Sequence, residues 1–419
     1  MKKSLIIFLF IICSFPVSLK AERKMVLTVS QKGEADFKTI SEAVRSIPQF
    51  NYERVIILIK AGLYEEKIRI DRDYITLLGE SPDRTFIKYP QLRSDWDASK
   101  DSIGPGIINI FADDIIIEGI TVENTQPQIG PHAFTIYGTG TRTILLQSRF
   151  ISKGGDTVSL WDHKTGLYYC WNCYFEGAVD FVCPRGWCYI RDSEFYEVKK
   201  SAALWHAGGE NINQKFVLQN CRFGGVEGWE LGRHHYDAQF ILLDCKFSKT
   251  MSDRPIYRVT YPDQPERDRP FNWGERYYFL NCSREGGNPD WLINNLPGII
   301  KLNSNGIVNA SSVYGGRWDP EKLAGPSIIK FKIEGTVITL YIDEKVTVEG
   351  SPSVIAGSKK FLYHSGSGTN ILKFIGNEKL DDAEIGTAEI SGGAFWGTGA
   401  TVSLRQLESK LTKVEGRIQ

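Results

Sequence analysis

The chain has 419 residues, 42% of them apolar and 24% charged, which is enough to bury a large core and excludes a disordered or fibrous chain. Lys+Arg and Asp+Glu both number 50, so no basic footprint for nucleic acid exists. Forty Gly against three Met argue for many turns and few long amphipathic helices, and seven of the ten Trp fall between Trp161 and Trp291.

Residues 1–21 carry the pattern of an export signal. Lys2 and Lys3 precede an apolar stretch from Leu5 to Ile12, and Ser18-Leu19-Lys20-Ala21 offers a cleavage site. The apolar stretch is too short to span a bilayer, and no later one is longer. The pattern predicts a soluble exported protein, periplasmic or secreted, with no membrane partner and acting as a monomer. A lipid-anchored reading through Cys13 is disfavoured by the bulky Ile12 before it. Beyond it, Thr39-Ile40-Ser41-Glu42 is a capping box, and Phe37, Ile40, Val44 and Ile47 recur at helical spacing until Pro48.

A degenerate repeat organises the middle of the chain. Its members are Gln147-Ser148-Arg149-Phe150, Asn172-Cys173-Tyr174-Phe175, Asp192-Ser193-Glu194-Phe195, Asn220-Cys221-Arg222-Phe223 and Asp244-Cys245-Lys246-Phe247. Asn281-Cys282 continues the series. Units of about 20–28 residues made of short β-rich runs and turns cannot bury an apolar face alone, but stacked units can. The prediction is an all-β chain built on a right-handed parallel β-helix, with the Thr39 helix covering its open N-terminal end.

Seven Cys follow residue 21, an odd number, so at least one is unpaired or pairs between chains. Cys170-x-x-Cys173 with Cys183 and Cys188 has zinc-like spacing, but Cys173, Cys221, Cys245 and Cys282 all follow Asn or Asp in the repeat, as small core-facing residues do. After Cys282 the repeat fades into loop and crossover, and from about Pro326 alternating strands predict a small immunoglobulin-like β-sandwich. The expected organisation is a signal at 1–21, a β-helix domain at 22–310, a linker at 311–325 and a C-terminal module at 326–419.

In a β-helix, residues one coil apart lie over one another at about 4.8 Å. His132, Asp156 and Asp180 are spaced by 24 residues each and therefore form one column. Two carboxylates that close cannot both ionise cheaply. If Arg233, two coils on, lies beside Asp180, that Asp stays anionic and Asp156 holds the proton, which sets a nucleophile beside a general acid.

Gly154-Gly155-Asp156-Thr157-Val158, Gly177-Ala178-Val179-Asp180-Phe181-Val182 and Leu231-Gly232-Arg233 together resemble the pectin methylesterase (pectinesterase) family. So do Asp36-Phe37-x-Thr39-Ile40-x-x-Ala43-Val44, Gly62-Leu63-Tyr64-Glu65-Glu66 and Ile75-x-Leu77-x-Gly79-Glu80, in the family's order over roughly residues 25–290. The resemblance implies a right-handed β-helix that demethylates galacturonan, with pectin-type polysaccharide as partner and no metal or organic cofactor. It implies Asp180 as nucleophile, Asp156 as the acid that protonates departing methanol and then activates water, and Arg233 as the group orienting Asp180.

The chain departs from the family's pattern at several positions. Two family Gln positions, whose side chains donate to the developing oxyanion, hold His132 and Gly155 here, so His132 and the Gly155 backbone N–H are the expected substitutes. The family's Pro-Trp after Leu-Gly-Arg is His234-His235, and Val182-Cys183-Pro184-Arg185 replaces a Phe-Gly-Asn continuation. Trp161, Trp205 or Trp229 is then the expected sugar platform, with His235 beside it. The segment from Arg254 to Arg276 walls the cleft or is a solvated loop. Two other readings stand beside the esterase: a non-catalytic carbohydrate-binding protein, and a Ca-dependent polysaccharide lyase, which would need a third acid in the column.

Overall fold

The computed structural model describes residues 26–52, 54–208, 211–304, 306–321, 328–380, 388–391 and 394–397. The export segment expected at 1–21, and Cys13 with it, lies outside the described residues. From Val26 to Arg284 the chain winds through three parallel sheets of ten, eight and nine strands. This is the right-handed parallel β-helix expected from the repeat. The first sheet runs from Val26–Val29 to Tyr277–Leu280, the second from Ile68–Ile70 to Tyr257–Arg258, the third from Gly62–Tyr64 to Ser283–Arg284.

Because the strands are parallel and in register, like residues stack along the axis. Ile57 pairs with Leu77, Leu77 with Ile117, and Ile117 with Leu145, all fully buried. Each such side chain contributes about 1.5–3 kcal/mol of burial. The sequence repeat has a backbone cause. Gln147, Asn172, Asp192, Asn220, Asp244 and Asn281 all sit at φ between 45° and 54°, one per coil, a left-handed corner that Asn and Asp tolerate best. The next residue turns inward, where Ser148 donates to the Leu146 carbonyl at 2.7 Å and Cys173 to that of Trp171 at 3.4 Å. The Phe two positions on forms a stack, with Phe195 and Phe223 4.3 Å apart at 12°. The seven Cys from Cys170 to Cys282 are accordingly buried free thiols. Among the described residues no group of three or more His, Cys, Asp or Glu side chains converges to hold a metal.

Ile40–Ser46 is the helix at the N-terminal end. Thr39 and Glu42 close its capping box, and Ile40, Ala43 and Val44 are buried in the first coils. Past the last coil, Val308, Ala310, Val313, Tyr314 and Trp318 pack on the outer face of the first sheet against Leu146, Tyr169 and Tyr189. The Tyr314 hydroxyl donates to the Tyr168 carbonyl at 2.7 Å, and Glu321 accepts from the Tyr169 hydroxyl and from Arg191. The first part of the expected 311–325 linker is thus packed on the β-helix; 322–327 lie outside the described residues. Among the described residues the C-terminal module is an antiparallel assembly of seven strands between Ile328 and Gly397. Its 13-residue strand Val337–Glu349 pairs with Ile328–Glu334 in its first half and with Ala394–Gly397 in its second.

Candidate active site

The outward face of the second sheet carries one polar column. Tyr137 pairs with Ser159 and Ser159 with Cys183; Trp205 pairs with Arg233 and Arg233 with Tyr257. These residues alternate with inward-facing Val158, Leu160, Val182 and Leu204. Asp156 and Asp180 each stand two residues before Val158 and Val182, which are register partners, so they fall one coil apart. Both adopt φ 57°, at the corner where the chain enters the second sheet. Val179, just before Asp180, has φ 41°, which is costly for a β-branched residue. The turn is held by the Val179 N–H donating to Ser201 Oγ (3.1 Å) and the Asp180 N–H to the Ala202 carbonyl (2.7 Å). Behind it, buried Glu197 bonds Ser201 and accepts the Lys199 N–H at 2.9 Å.

Arg233 reaches back two strands to Asp180, donating from Nε to Oδ1 and from Nη2 to Oδ2, each at 2.8 Å. This two-pronged pair fixes the plane of the carboxylate. Burial pushes the Asp180 carboxyl up to about 6, against the pull of Arg233, so it is ionised at neutral pH. Burial also raises the Asp156 carboxyl, while His132, Arg185 and Arg93 pull it down. Ser159 donates to Asp156 at 3.5 Å. His132 lies at the mouth, its side chain 46% exposed and its Nε2 3.7 Å from Asp156. The arrangement places an oriented, ionised carboxylate next to a carboxyl biased toward its protonated form.

Of the sequence-predicted residues, Asp156, Asp180, Arg233 and His132 come together. Gly155 does not serve as a donor. Its N–H is committed to the Pro131 carbonyl at 3.0 Å, and a side chain there would meet His132 and the Gly130 and Val179 carbonyls at 3.1 Å. Trp229 is also no platform: it is fully buried in the core, stacked on Phe223, because it sits at the inward corner before its strand. Trp205 faces outward but is only 7% exposed. Its indole N–H donates to His235 Nδ1 at 3.1 Å, and His235 Nε2 meets the Tyr261 hydroxyl at 3.2 Å. Since an indole can only donate, His235 carries its proton on Nε2. Burial, with Arg233 nearby, lowers it to about 4 and keeps it neutral.

The Arg254–Arg276 segment does wall the site. Its Tyr257–Arg258 strand extends the second sheet beside Arg233, and Tyr261 stacks on His235. Sequence reasoning missed Ser159, Tyr137 and Tyr257. Their signal was the alternation Val158-Ser159-Leu160, which sends the middle residue outward. It noted Arg185 only as a departure; the structure sets that guanidinium between Trp161 and Trp205.

A model of the pectinesterase family matches residues 26–237. Probable pectinesterase 50 of Arabidopsis thaliana is 31% identical over 220 residues, which make up 50% of this chain and 59% of that protein. The chain spans about half the length of the curated relatives it matches. The fold is shared with a pectin methylesterase from Aspergillus niger, at 19% identity and TM-score 0.55 over 72% of this chain and 98% of that one. It is shared too with pectin methylesterase PemA from Erwinia chrysanthemi, at 20% and 0.51 over 65% and 92%.

Proposed function

The chain belongs to the pectinesterase family, and from that premise we propose that it hydrolyses methyl esters of galacturonate in pectin-type polysaccharide. The observation that carries the reading is the Arg233-clamped Asp180 one coil from Asp156. Asp180 attacks the C6 carbonyl carbon, whose π electrons move onto oxygen. Collapse of that oxyanion breaks the bond to methoxide, which takes the Asp156 proton and leaves as methanol. The resulting Asp180–uronate anhydride is cleaved by a water that gives its proton to Asp156, releasing the uronate carboxylate and free Asp180. A pectin methylesterase has been solved with a bound hexasaccharide, which supports a polymeric substrate here. The basic and apolar pattern of residues 1–21 supports action outside the cytoplasm.

His132 is the side chain placed to donate to the oxyanion, where one such donor is worth about 2.7–4 kcal/mol. The commitment of the Gly155 N–H elsewhere favours one rival, a binding protein without turnover. Incubation with highly methylated polygalacturonate decides between them. The esterase reading expects methanol release; oligosaccharide binding with no methanol would leave the binding protein.

A further inference from the structure

Three cations meet on the outer face of the first sheet, outside the column that carries Asp180. Lys215, Gln239 and Arg276 form one row across three coils. The Cys188 N–H donates to the Lys215 carbonyl at 3.1 Å, the Phe216 N–H to that of Gln239 at 2.8 Å and the Phe240 N–H to that of Arg276 at 3.0 Å. Phe216 and Phe240 face the core, so the residue before each faces outward. Trp187, before core-facing Cys188, extends the row. The Arg317 guanidinium, from the segment past the last coil, lies 3.9 Å from the Trp187 ring centre, held by its Nε–H on the Tyr314 carbonyl at 3.0 Å.

Among the described residues Lys215, Arg276 and Arg317 form no ion pair. Lys215 and Arg276 are each only 8% exposed. Burial lowers the Lys215 ammonium, and the charges of Arg276 and Arg317 lower it further, so the three groups are close neighbours. Arg276 donates from Nη1 to the Ile212 carbonyl at 2.6 Å and from Nη2 to the Asp237 carbonyl at 3.0 Å, which leaves its Nε–H buried without an acceptor. The Asp237 carboxylate is taken by the N–H groups of Asn272 and Trp273, at 2.6 Å and 2.9 Å. In the middle of the row the Gln239 side-chain oxygen is buried without a donor.

Cations held together out of water without a counter-ion are costly. Strand spacing sets Lys215 and Arg276 about 10 Å apart on either side of Gln239, a gap that one small anion can bridge. The lone acceptor among these donors narrows the choice. Sulfate carries only acceptors and leaves the Gln239 oxygen unmet. Phosphate at neutral pH keeps an O–H to donate to it, while its other oxygens accept from the cations.

We propose that Lys215, Arg276, Arg317 and Gln239 form a phosphate-binding site that clasps two peripheral segments to the β-helix, the one past the last coil through Arg317 and the cleft wall through Arg276. The site lies outside the cleft and does not depend on the esterase reading. The test is calorimetric titration of inorganic phosphate, and of sulfate, into the full chain at pH 7 and constant ionic strength, with melting curves in parallel. The wild type is expected to bind one phosphate with a Kd of about 1 mM or below, and sulfate at least about tenfold more weakly. Lys215→Met, which keeps the aliphatic stem, and Arg317→Gln should each weaken phosphate binding at least about tenfold. Both should also lose the rise in melting temperature that phosphate gives the wild type. Lys373→Gln, at an exposed cation of the C-terminal module, should leave binding unchanged. No phosphate binding by the wild type, equal affinity for sulfate, or unchanged binding in either row variant overturns the proposal. Should Lys215→Met not fold, Arg317→Gln, altered at an exposed residue, decides.

Discussion

Replacing Arg233 with Gln removes the only cation bonded to Asp180 among the described residues while keeping a side chain of similar reach. The pair is 2.8 Å long at both contacts, and the side chains are 28% and 11% exposed. With an effective dielectric of about 20, a unit charge pair near contact is worth about 4 kcal/mol. At about 1.4 kcal/mol per pH unit, losing it lifts the Asp180 midpoint from about 6 to roughly 9. The ionised fraction at pH 7 then falls from roughly nine-tenths to roughly one-hundredth, an expected loss of about 100-fold in methanol release. The acid limb of the kcat/KM profile, placed near pH 6 in the wild type, should move up by about three pH units. Activity should accordingly recover on the alkaline side, until Asp156 loses its proton. An Arg233→Gln protein whose acid limb stays at pH 6 would refute the electrostatic reasoning, whatever its rate.

His132→Ala removes the donor at the mouth and should lower kcat by about 10²–10³ with little change in KM, while His132→Gln should retain most activity; methanol kinetics for both check this. Burial pushes the Glu197 carboxyl up to about 9. Its folded value lies above the unfolded one, so its contribution is fully present below about pH 4.5 and is lost as pH rises toward 9. Thermal melts of Glu197→Gln should therefore gain on the wild type by up to about 1.4 kcal/mol per pH unit across that window; parallel melting curves would contradict it. His206 and His234 are fully buried and lowered to about 4, chiefly by burial. Their folded values lie below the unfolded one, so stability should fall as pH drops from about 6.5 toward 4, by up to about 3 kcal/mol each. Denaturant titrations at pH 7 and pH 5 measure that loss.

The solenoid was legible because its corner imposes a backbone rule, and Asn or Asp at a left-handed φ followed by a small inward residue is a rule that residue types can express. Asp156 and Asp180 were legible for the same reason, since Val158 and Val182 pair across a coil of 24 residues. Coil length itself is not constant. Ile136 pairs with Val158 at 22 residues and Leu204 with Gly232 at 28, so the equal spacing of His132 from Asp156 overstated their register, and His132 bridges Gly155 instead. Trp205 and Trp229 look alike in sequence, yet one lies mid-strand facing out and the other at an inward corner. Spacing does not separate them, because the alternation breaks at corners. The fate of the Gly155 N–H was hidden too, since it depends on which carbonyl the preceding coil presents. Arg185 reads as an isolated departure until two tryptophans from neighbouring coils close on it.

The most direct test of the account is methanol release by Asp180→Asn, an isosteric change that keeps one of the two hydrogen bonds from Arg233, through the amide oxygen, while removing the attacking charge. With circular dichroism confirming a retained β-rich fold, the variant should lose at least about 10³-fold in kcat against methylated polygalacturonate. Methanol release at the wild-type rate would show that the ester is opened without Asp180.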